Sequence, residues 1–372
     1  MPTLSSLFGQ DLAIGALRKA LEVDHLPGAY LFVGPSGVGK GALASAFAQA
    51  AACLSPRRLP FDSCGKCESC RRIMSGTQPE IITIYPAGEQ MQIWQFWDRD
   101  NKPQGVLSHT LNYAPGIGKR RIYILEKAET LNESAANSLL KVLEEPPSYA
   151  LFVLLATHAA RVLPTIVSRS QVIRLRPAIK EELTAFLEQR LQIEPERAQM
   201  LAAYTEGRTG MAVQMAQDAR VSTEIERVMD FAEQLPVAPR VRALKVAEQM
   251  RKLATQTKAL VGEEPSASEA EDTEGGTTKE RAGRKQQAAV FDLLVAFYRD
   301  LLTLRAGSAP EHIVNQDRLK TLIRLARSGT PERWIGCLDA LLIARRRLDA
   351  NANVTLVTEV LAMTLLNQTS AA

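Results

Sequence analysis

Aromatic side chains are scarce in this sequence, at 5% of residues. That is too few for a platform on which successive bases stack. Long apolar runs are missing too. None approaches the roughly 18 residues a membrane span needs, so a membrane protein is not expected. The opening Met1-Pro-Thr-Leu-Ser-Ser has no basic segment followed by an apolar one, so no secretory leader is read and a cytoplasmic location is expected. Neither sign of charge dominates: 45 Lys and Arg face 41 Asp and Glu, a net +4. This permits contact with nucleic acid without demanding it, and a DNA-binding module acting alone is disfavoured. Cysteine is also rare, with five in 372 residues.

Four of those five form the most informative feature of the chain. Cys53, Cys64, Cys67 and Cys70 have the spacing C-x10-C-x2-C-x2-C. Two tight C-x-x-C steps bring successive thiolates to one ion, and an all-thiolate tetrahedral set suits Zn2+. A reducing compartment favours metal over disulfides. Four protein ligands leave no position for water, so the expected role is structural. Arg71 and Arg72 beside the cluster read as solvated. Cys337 lies in an apolar helical pattern and reads as core.

Just before the cluster stands Gly34-Pro-Ser-Gly-Val-Gly-Lys40, preceded by a strand pattern and followed by an Ala-rich helix pattern. This is the context of a phosphate loop. Backbone amides around Gly34, Gly37 and Gly39 would cradle phosphates, and Lys40 would reach the terminal ones, giving a site for ATP or ADP. Position 41, where a hydroxyl normally binds magnesium, is Gly41. A second nucleotide element normally ends a strand with two acids, one supporting magnesium and one activating water. Here the strand ends in Glu126-Lys127. Glu126 still suits magnesium, whereas a protonated Lys127 cannot act as a base, so efficient hydrolysis is not expected.

Residues 1–176 read as alternating strands and helices, with strands at 29–33, 81–84, 121–125, 151–155 and 171–175. Continuous apolar runs bounded by polar turns suit a parallel sheet buried on both faces. A helix at about 132–144 stops before Pro146-Pro147. Beyond Pro177 the strand signal ends. Two or three short helices are expected over 179–219, then helix over 222–257. A charged, apolar-poor stretch at 263–285 reads as a disordered insertion, and amphipathic helices follow to about 366. Trp94 and Trp97, spaced i and i+3, read as helical core packing.

Several segments together resemble the clamp-loader family of the AAA+ proteins, in its gamma/tau/delta-prime branch. They are Phe8-Gly-Gln10, Leu26-Pro-Gly-Ala with the loop, the cysteine cluster, and Asn132-Glu-Ser-Ala through Leu143-Glu-Glu-Pro-Pro147. Leu155-Ala-Thr157 and Leu163-Pro-Thr-Ile-Val-Ser-Arg169 complete the set. They run in the family order over residues 5–175. Phe297-Tyr-Arg-Asp-Leu-Leu302 and Asn351-Ala-Asn353 look like the family's collar domain.

The resemblance implies an α/β AAA+ P-loop domain (1–176) with a zinc module at 53–70. A small helical lid domain (177–220) follows, then an all-α collar domain (221–372) with an insertion at 260–286. It implies that Thr157 belongs to the nucleotide site and that Arg169 is an arginine finger acting in a neighbouring subunit, with Ser170 in place of the family's cysteine. The motor subunits would carry a loop hydroxyl, an Asp-Glu pair and a second sensor arginine. Here Gly41, Lys127 and Gly210 stand at those places.

The implied function is a non-motor, stator-like subunit of the DNA polymerase III clamp loader. Its partners would be gamma/tau and delta subunits in a hetero-oligomer, and through the complex the sliding clamp and primed DNA. The alternative is an ATP-hydrolysing gamma/tau-type motor or another AAA+ ATPase.

Overall fold

The structure is a computed structural model and describes residues 2–88, 90–99, 105–261, 278–310 and 313–369. Its contacts divide the chain into two compact units. The first holds Met1–Leu183 with Glu206–Met211, and the second holds Thr184–Thr205 and the described residues from Ala212 onward.

In chain order the strands are β1 Ala29–Val33, β2 Arg57–Arg58, β3 Phe61–Asp62, β4 Ile81–Ile84, β5 Arg121–Leu125, β6 Ala150–Ala156 and β7 Gln171–Arg174. β2 and β3 form a small antiparallel pair. The other five make one parallel sheet in the order β4-β5-β6-β1-β7. Every residue of β5 and β6 is buried, which is why their sequences read as unbroken apolar runs.

Within β1 the side chains alternate between two cores. Tyr30 and Phe32 join Leu17, Phe47, Val153 and Leu155 on one face. Ala29 and Leu31 join Tyr123, Leu139 and Phe152 on the other. Tyr30 meets Phe47 edge-on with ring centres 5.0 Å apart, and Tyr123 stacks on Phe152 at 4.9 Å. Each such side chain, fully buried, contributes about 1.5–3 kcal/mol.

The helices of the first unit are α1 Asp11–Glu22, α2 Lys40–Ala52, α3 Glu68–Met74, α4 Val106–Thr110, α5 Glu133–Glu144 and α6 Pro164–Val167. α5 buries Ala135, Ala136, Leu139, Val142 and Leu143 along one face. It starts at Asn132, whose side-chain oxygen accepts the Ala135 N–H at 2.8 Å. Trp94 and Trp97 are not on an α-helix. A single 3-10 turn spans Ile93–Gln95. Just after it the fully buried ring is Phe96, while Trp97 packs partly buried against the core.

Helices α7 Lys180–Leu191, α8 Pro195–Tyr204 and α9 Thr209–Gln217 follow. Then come α10 Arg220–Gln234, α11 Ala243–Gln256, α12 Lys258–Val261, α13 Thr278–Arg305, α14 Leu319–Arg327, α15 Pro331–Asp349 and α16 Val354–Thr369. The helix expected over 222–257 is broken in two, because Pro236 and Pro239 supply no N–H donor to continue it. Of the insertion expected at 260–286, residues 262–277 lie outside the described residues, and 278–286 belong to α13. α13 packs on α15, and α16 on both α15 and α11. Trp334, Tyr298, Phe291 and Phe297 fill this helical core, and Cys337 is buried there as expected. Among the described residues no helix is long and apolar enough to cross a membrane.

Replacing the α5 cap, Asn132→Ala, is expected to lower the stability of the first unit by about 1 kcal/mol. Chemical denaturation followed by circular dichroism measures this. An unchanged midpoint would mean that the cap bond contributes nothing.

Candidate functional site

β1, β5 and β6 are parallel neighbours, so their carboxyl ends open on one edge of the sheet. β1 has β6 on one side and β7 on the other. The crevice outside the carboxyl ends at such a point is where open α/β sheets take ligands. Gly34 follows β1, Glu126 follows β5 and Thr157 follows β6. The fold therefore gathers these three expected nucleotide-site residues, with Lys40 at the start of α2.

The loop glycines are required by its geometry. Gly37 and Gly39 have φ of +80° and +102°, values that side chains rarely adopt. A Cβ on Gly34 would stand 2.6 Å from the Leu175 carbonyl. The Lys40 ammonium donates to the carbonyls of Gly34 at 2.7 Å and Pro35 at 2.9 Å. Burial pulls its pKa down, opposed by the nearby carboxylates of Glu129 and Glu126. A Cβ on Gly41 would lie 3.3 Å from Glu126 Oε1. A side chain at position 41 would therefore stand beside that carboxylate.

Sequence reasoning missed Glu129. Its Oε1 accepts the Thr157 backbone N–H at 3.1 Å and the Thr157 hydroxyl at 2.7 Å. The side chain of Thr157 is thus committed to an acid from the turn after β5. The run Glu126-Lys-Ala-Glu129 carried the signal, and the reading stopped at its first two residues. Gly210, where the resemblance places an arginine in motor subunits, packs on the loop. Met211 donates its N–H to the Gly37 carbonyl at 2.8 Å. A Cβ on Gly210 would come within 2.9 Å of that oxygen and 3.0 Å of Gly39.

Arg169 stands apart from these groups. It lies two residues before β7, at the amino edge of the sheet, while the loop lies at the carboxyl edge. Gln171 pairs with Tyr30, four residues before Gly34, so about 13 Å of strand separates the two levels at about 3.3 Å per residue. Arg169 donates from Nε to Glu144 Oε1 at 2.7 Å and from Nη1 to the Thr165 carbonyl at 3.1 Å. Its Nη2 also pairs with Glu144.

The four cysteines converge, their sulfurs all within 4.8 Å of one another. Sγ separations are 3.6 Å for Cys53–Cys70, 3.9 Å for Cys53–Cys67 and 4.0 Å for Cys64–Cys70. Four ligands at about 2.3 Å from a tetrahedral zinc would stand about 3.8 Å apart. These are free thiols, and backbone amides point at the sulfurs. Cys64 N–H reaches Cys53, Lys66 and Cys67 N–H reach Cys64, and Cys70 N–H reaches Cys67, at 3.3–3.5 Å. For Cys67, burial pushes the pKa up, but hydrogen bonds led by the Cys70 and Leu54 N–H groups bring the thiol down to about 6. The donor set fits a thiolate-bound metal ion.

Asp62 ties this module to the start of the chain, accepting the N–H groups of Leu4 at 3.2 Å, Ser5 at 2.9 Å and Ser63 at 2.7 Å. Burial works against its charge, yet these bonds hold its pKa below the ordinary carboxylate value.

Comparison with known proteins gives consistent matches. The family model described as DNA polymerase III, delta subunit, matches residues 9–178. The one described as DNA polymerase III, delta subunit, C terminal, matches residues 282–369. The chain is 28% identical over 345 residues to DNA polymerase III subunit delta' of Bacillus subtilis (strain 168), covering 91% of this chain and 90% of that protein. It is 36% identical over 141 residues to subunit delta' of Pseudomonas aeruginosa, covering 38% and 40%. It is 29% identical over 238 residues to subunit tau of Escherichia coli (strain K12), covering 61% of this chain and 35% of that protein. A solved structure from Thermotoga maritima, described as a DNA polymerase III gamma subunit-related protein, gives a TM-score of 0.47 at 17% identity, covering 95% of this chain and 99% of that one.

Two outcomes follow from this geometry. Removing the metal with a strong chelator is expected to loosen residues 53–72, read as faster amide exchange there; protein purified without chelator and found free of zinc would refute the metal assignment. Gly210→Ala is expected to cost about 1–3 kcal/mol by overpacking against the loop backbone, as a lower thermal midpoint. A wild-type midpoint would mean that the 209–211 segment does not press on the loop in solution.

Proposed function

We propose that this chain is the non-motor, stator-like member of a DNA polymerase III clamp loader, a delta-prime-type subunit, a reading supported by its matches to delta-prime subunits and to the DNA polymerase III delta-subunit family models. Its first unit is an AAA+ P-loop fold and the region after it is helical. In this reading it assembles with gamma or tau and delta subunits into a cytoplasmic hetero-oligomer that places a sliding clamp on primed DNA. It holds the ring and lends Arg169 to a neighbour's nucleotide site.

One observation carries the reading. The loop and Arg169 occupy opposite edges of the sheet, so the guanidinium is out of reach of its own pocket and available to another chain's. A guanidinium suits the task, since it stabilises charge on a transferring phosphoryl and keeps its proton. The chain's own pocket is short of catalytic parts. Gly41 offers no hydroxyl, Lys127 stands where a water-activating acid is needed, and Gly210 offers no cation. Gly34, Gly37, Gly39, Lys40, Glu126 and Thr157 then form a degenerate site that takes ATP or ADP without turning it over efficiently. Zn2+ on Cys53, Cys64, Cys67 and Cys70 is structural. The motor reading draws on the retained Lys40 and Glu126. It requires hydrolysis without a general base.

In a complex reconstituted with its cognate gamma or tau and delta subunits, Arg169→Ala is expected to cut clamp- and DNA-stimulated ATP turnover by about a thousandfold at the site it serves. The variant chain should fold and assemble normally. Unchanged turnover in the assembled complex would sink the finger role. Steady ATP hydrolysis by the isolated chain, abolished by Lys40→Ala, would replace this reading with the motor one.

A further inference from the structure

The two most distinctive sequence segments, the Leu-Glu-Glu-Pro-Pro end of α5 and the Ser-Arg segment before β7, meet in space. Glu144 is the last residue of α5. That is where the helix dipole is negative and a carboxylate is locally unfavourable. Helix physics alone would put a cation there. α5 carries Lys141 in its last turn, and a second cation comes from 25 residues further along. Arg169 lays its Nε and Nη2 edge on Glu144 Oε1.

The Thr165 carbonyl, from the short α6, takes Nη1 at 3.1 Å. A guanidinium carries five N–H groups in a rigid fork. Glu144 engages one side edge and Thr165 one terminal nitrogen. The outer edge is formed by the second N–H of each terminal nitrogen; Nη1 also has the Ser168 hydroxyl at a long 3.4 Å. The side chain of Arg169 is 33% exposed and that of Glu144 46%, so the pair is partly open to solvent.

We propose that Glu144 is the positioning residue for Arg169: it grips the inner edge of the guanidinium so that the outer edge is presented, already oriented, to phosphoryl oxygens of a neighbouring subunit. This rests on the finger reading above. An untethered arginine would lose rotamer freedom each time it engaged, and orientation fixed in advance removes that cost. An exposed pair contributes little to folding, so the pair's worth lies in orientation.

The test uses the reconstituted complex with clamp and primed DNA. Glu144→Ala is expected to lower kcat for ATP about tenfold with KM unchanged, since misplacing a catalytic group by an ångström costs up to about a hundredfold. Glu144→Gln keeps one acceptor oxygen and is expected to fall in between. Neither change should move the thermal midpoint of the isolated chain. Combined with Arg169→Ala, neither should lower the rate further, because both act through one group. A wild-type kcat for Glu144→Ala, or a loss that adds to that of Arg169→Ala, overturns the positioning role while leaving the finger intact. If Arg169→Ala is itself without effect, the finger reading fails and this inference falls with it.

Discussion

The register of β1 between β6 and β7 is the constraint on which the rest depends. Parallel pairing on both sides sends every strand's carboxyl end to one edge and every amino end to the other. Whatever follows β1, β5 and β6 is collected into one pocket, and whatever precedes β7 is kept from it. A one-residue slip would exchange the two faces of β1, putting Tyr30 and Phe32 where Ala29 and Leu31 now pack. The cores on either side differ in shape, so the register is held. The separation of the loop from Arg169 is thus a property of the sheet; under the proposed role, one edge would receive nucleotide and the other would lend a guanidinium.

The metal module illustrates a second way of fixing position without a large core. Residues 53–72 hold only two-residue strands and the seven-residue α3, too little to bury much apolar surface. Four thiolates on one ion would close that segment. Asp62 reaches the start of the chain through two N–H groups, those of Leu4 and Ser5, while Arg18 of α1 donates to the Phe61 carbonyl at 3.2 Å and the Ser5 hydroxyl at 2.8 Å. A metal on the four thiolates would thereby be mechanically joined to the anchoring of residues 4–5, because Asp62 lies between Cys53 and Cys64 in sequence.

Much of the first unit was legible. Unbroken apolar runs such as Leu151–Leu155 exist because both faces of the sheet are covered, and Pro146-Pro147 ends α5 for a reason visible in one residue type. The C-x-x-C steps were legible because ligand spacing is a local property. What could not be read depended on contacts distant in sequence. Glu129 joins Thr157 across 28 residues, and Glu144 joins Arg169 across 25. The Glu126-Lys-Ala-Glu129 run places Glu129 near the strand end without naming its partner, and nothing local marks Glu144 as different from a solvated acid. Trp94 and Trp97 misled because i, i+3 spacing suits a 3-10 turn as well as an α-helix, and the true core residue, Phe96, sat between them.

The survival of the phosphate loop is the remaining puzzle if the pocket does little chemistry. Its glycines are bound by sterics that owe nothing to nucleotide. Gly34 must clear the Leu175 carbonyl, Gly37 and Gly39 need positive φ, and Gly37 accepts the Met211 N–H while Gly210 lies against Gly39. Lys40 satisfies two loop carbonyls that would otherwise face the pocket. The loop is therefore a joint between the sheet and the 207–211 segment, and a substitution within it would disturb packing even in a molecule that never met ATP. Position 41 is held less tightly: a Cβ there would meet only the far end of the Glu126 side chain, at 3.3 Å. Lys127 is exposed but takes a positive φ of 56°. The loop residues Gly34, Gly37, Gly39 and Lys40 are thus held by packing, backbone conformation and hydrogen bonding as well as by any ligand they would bind.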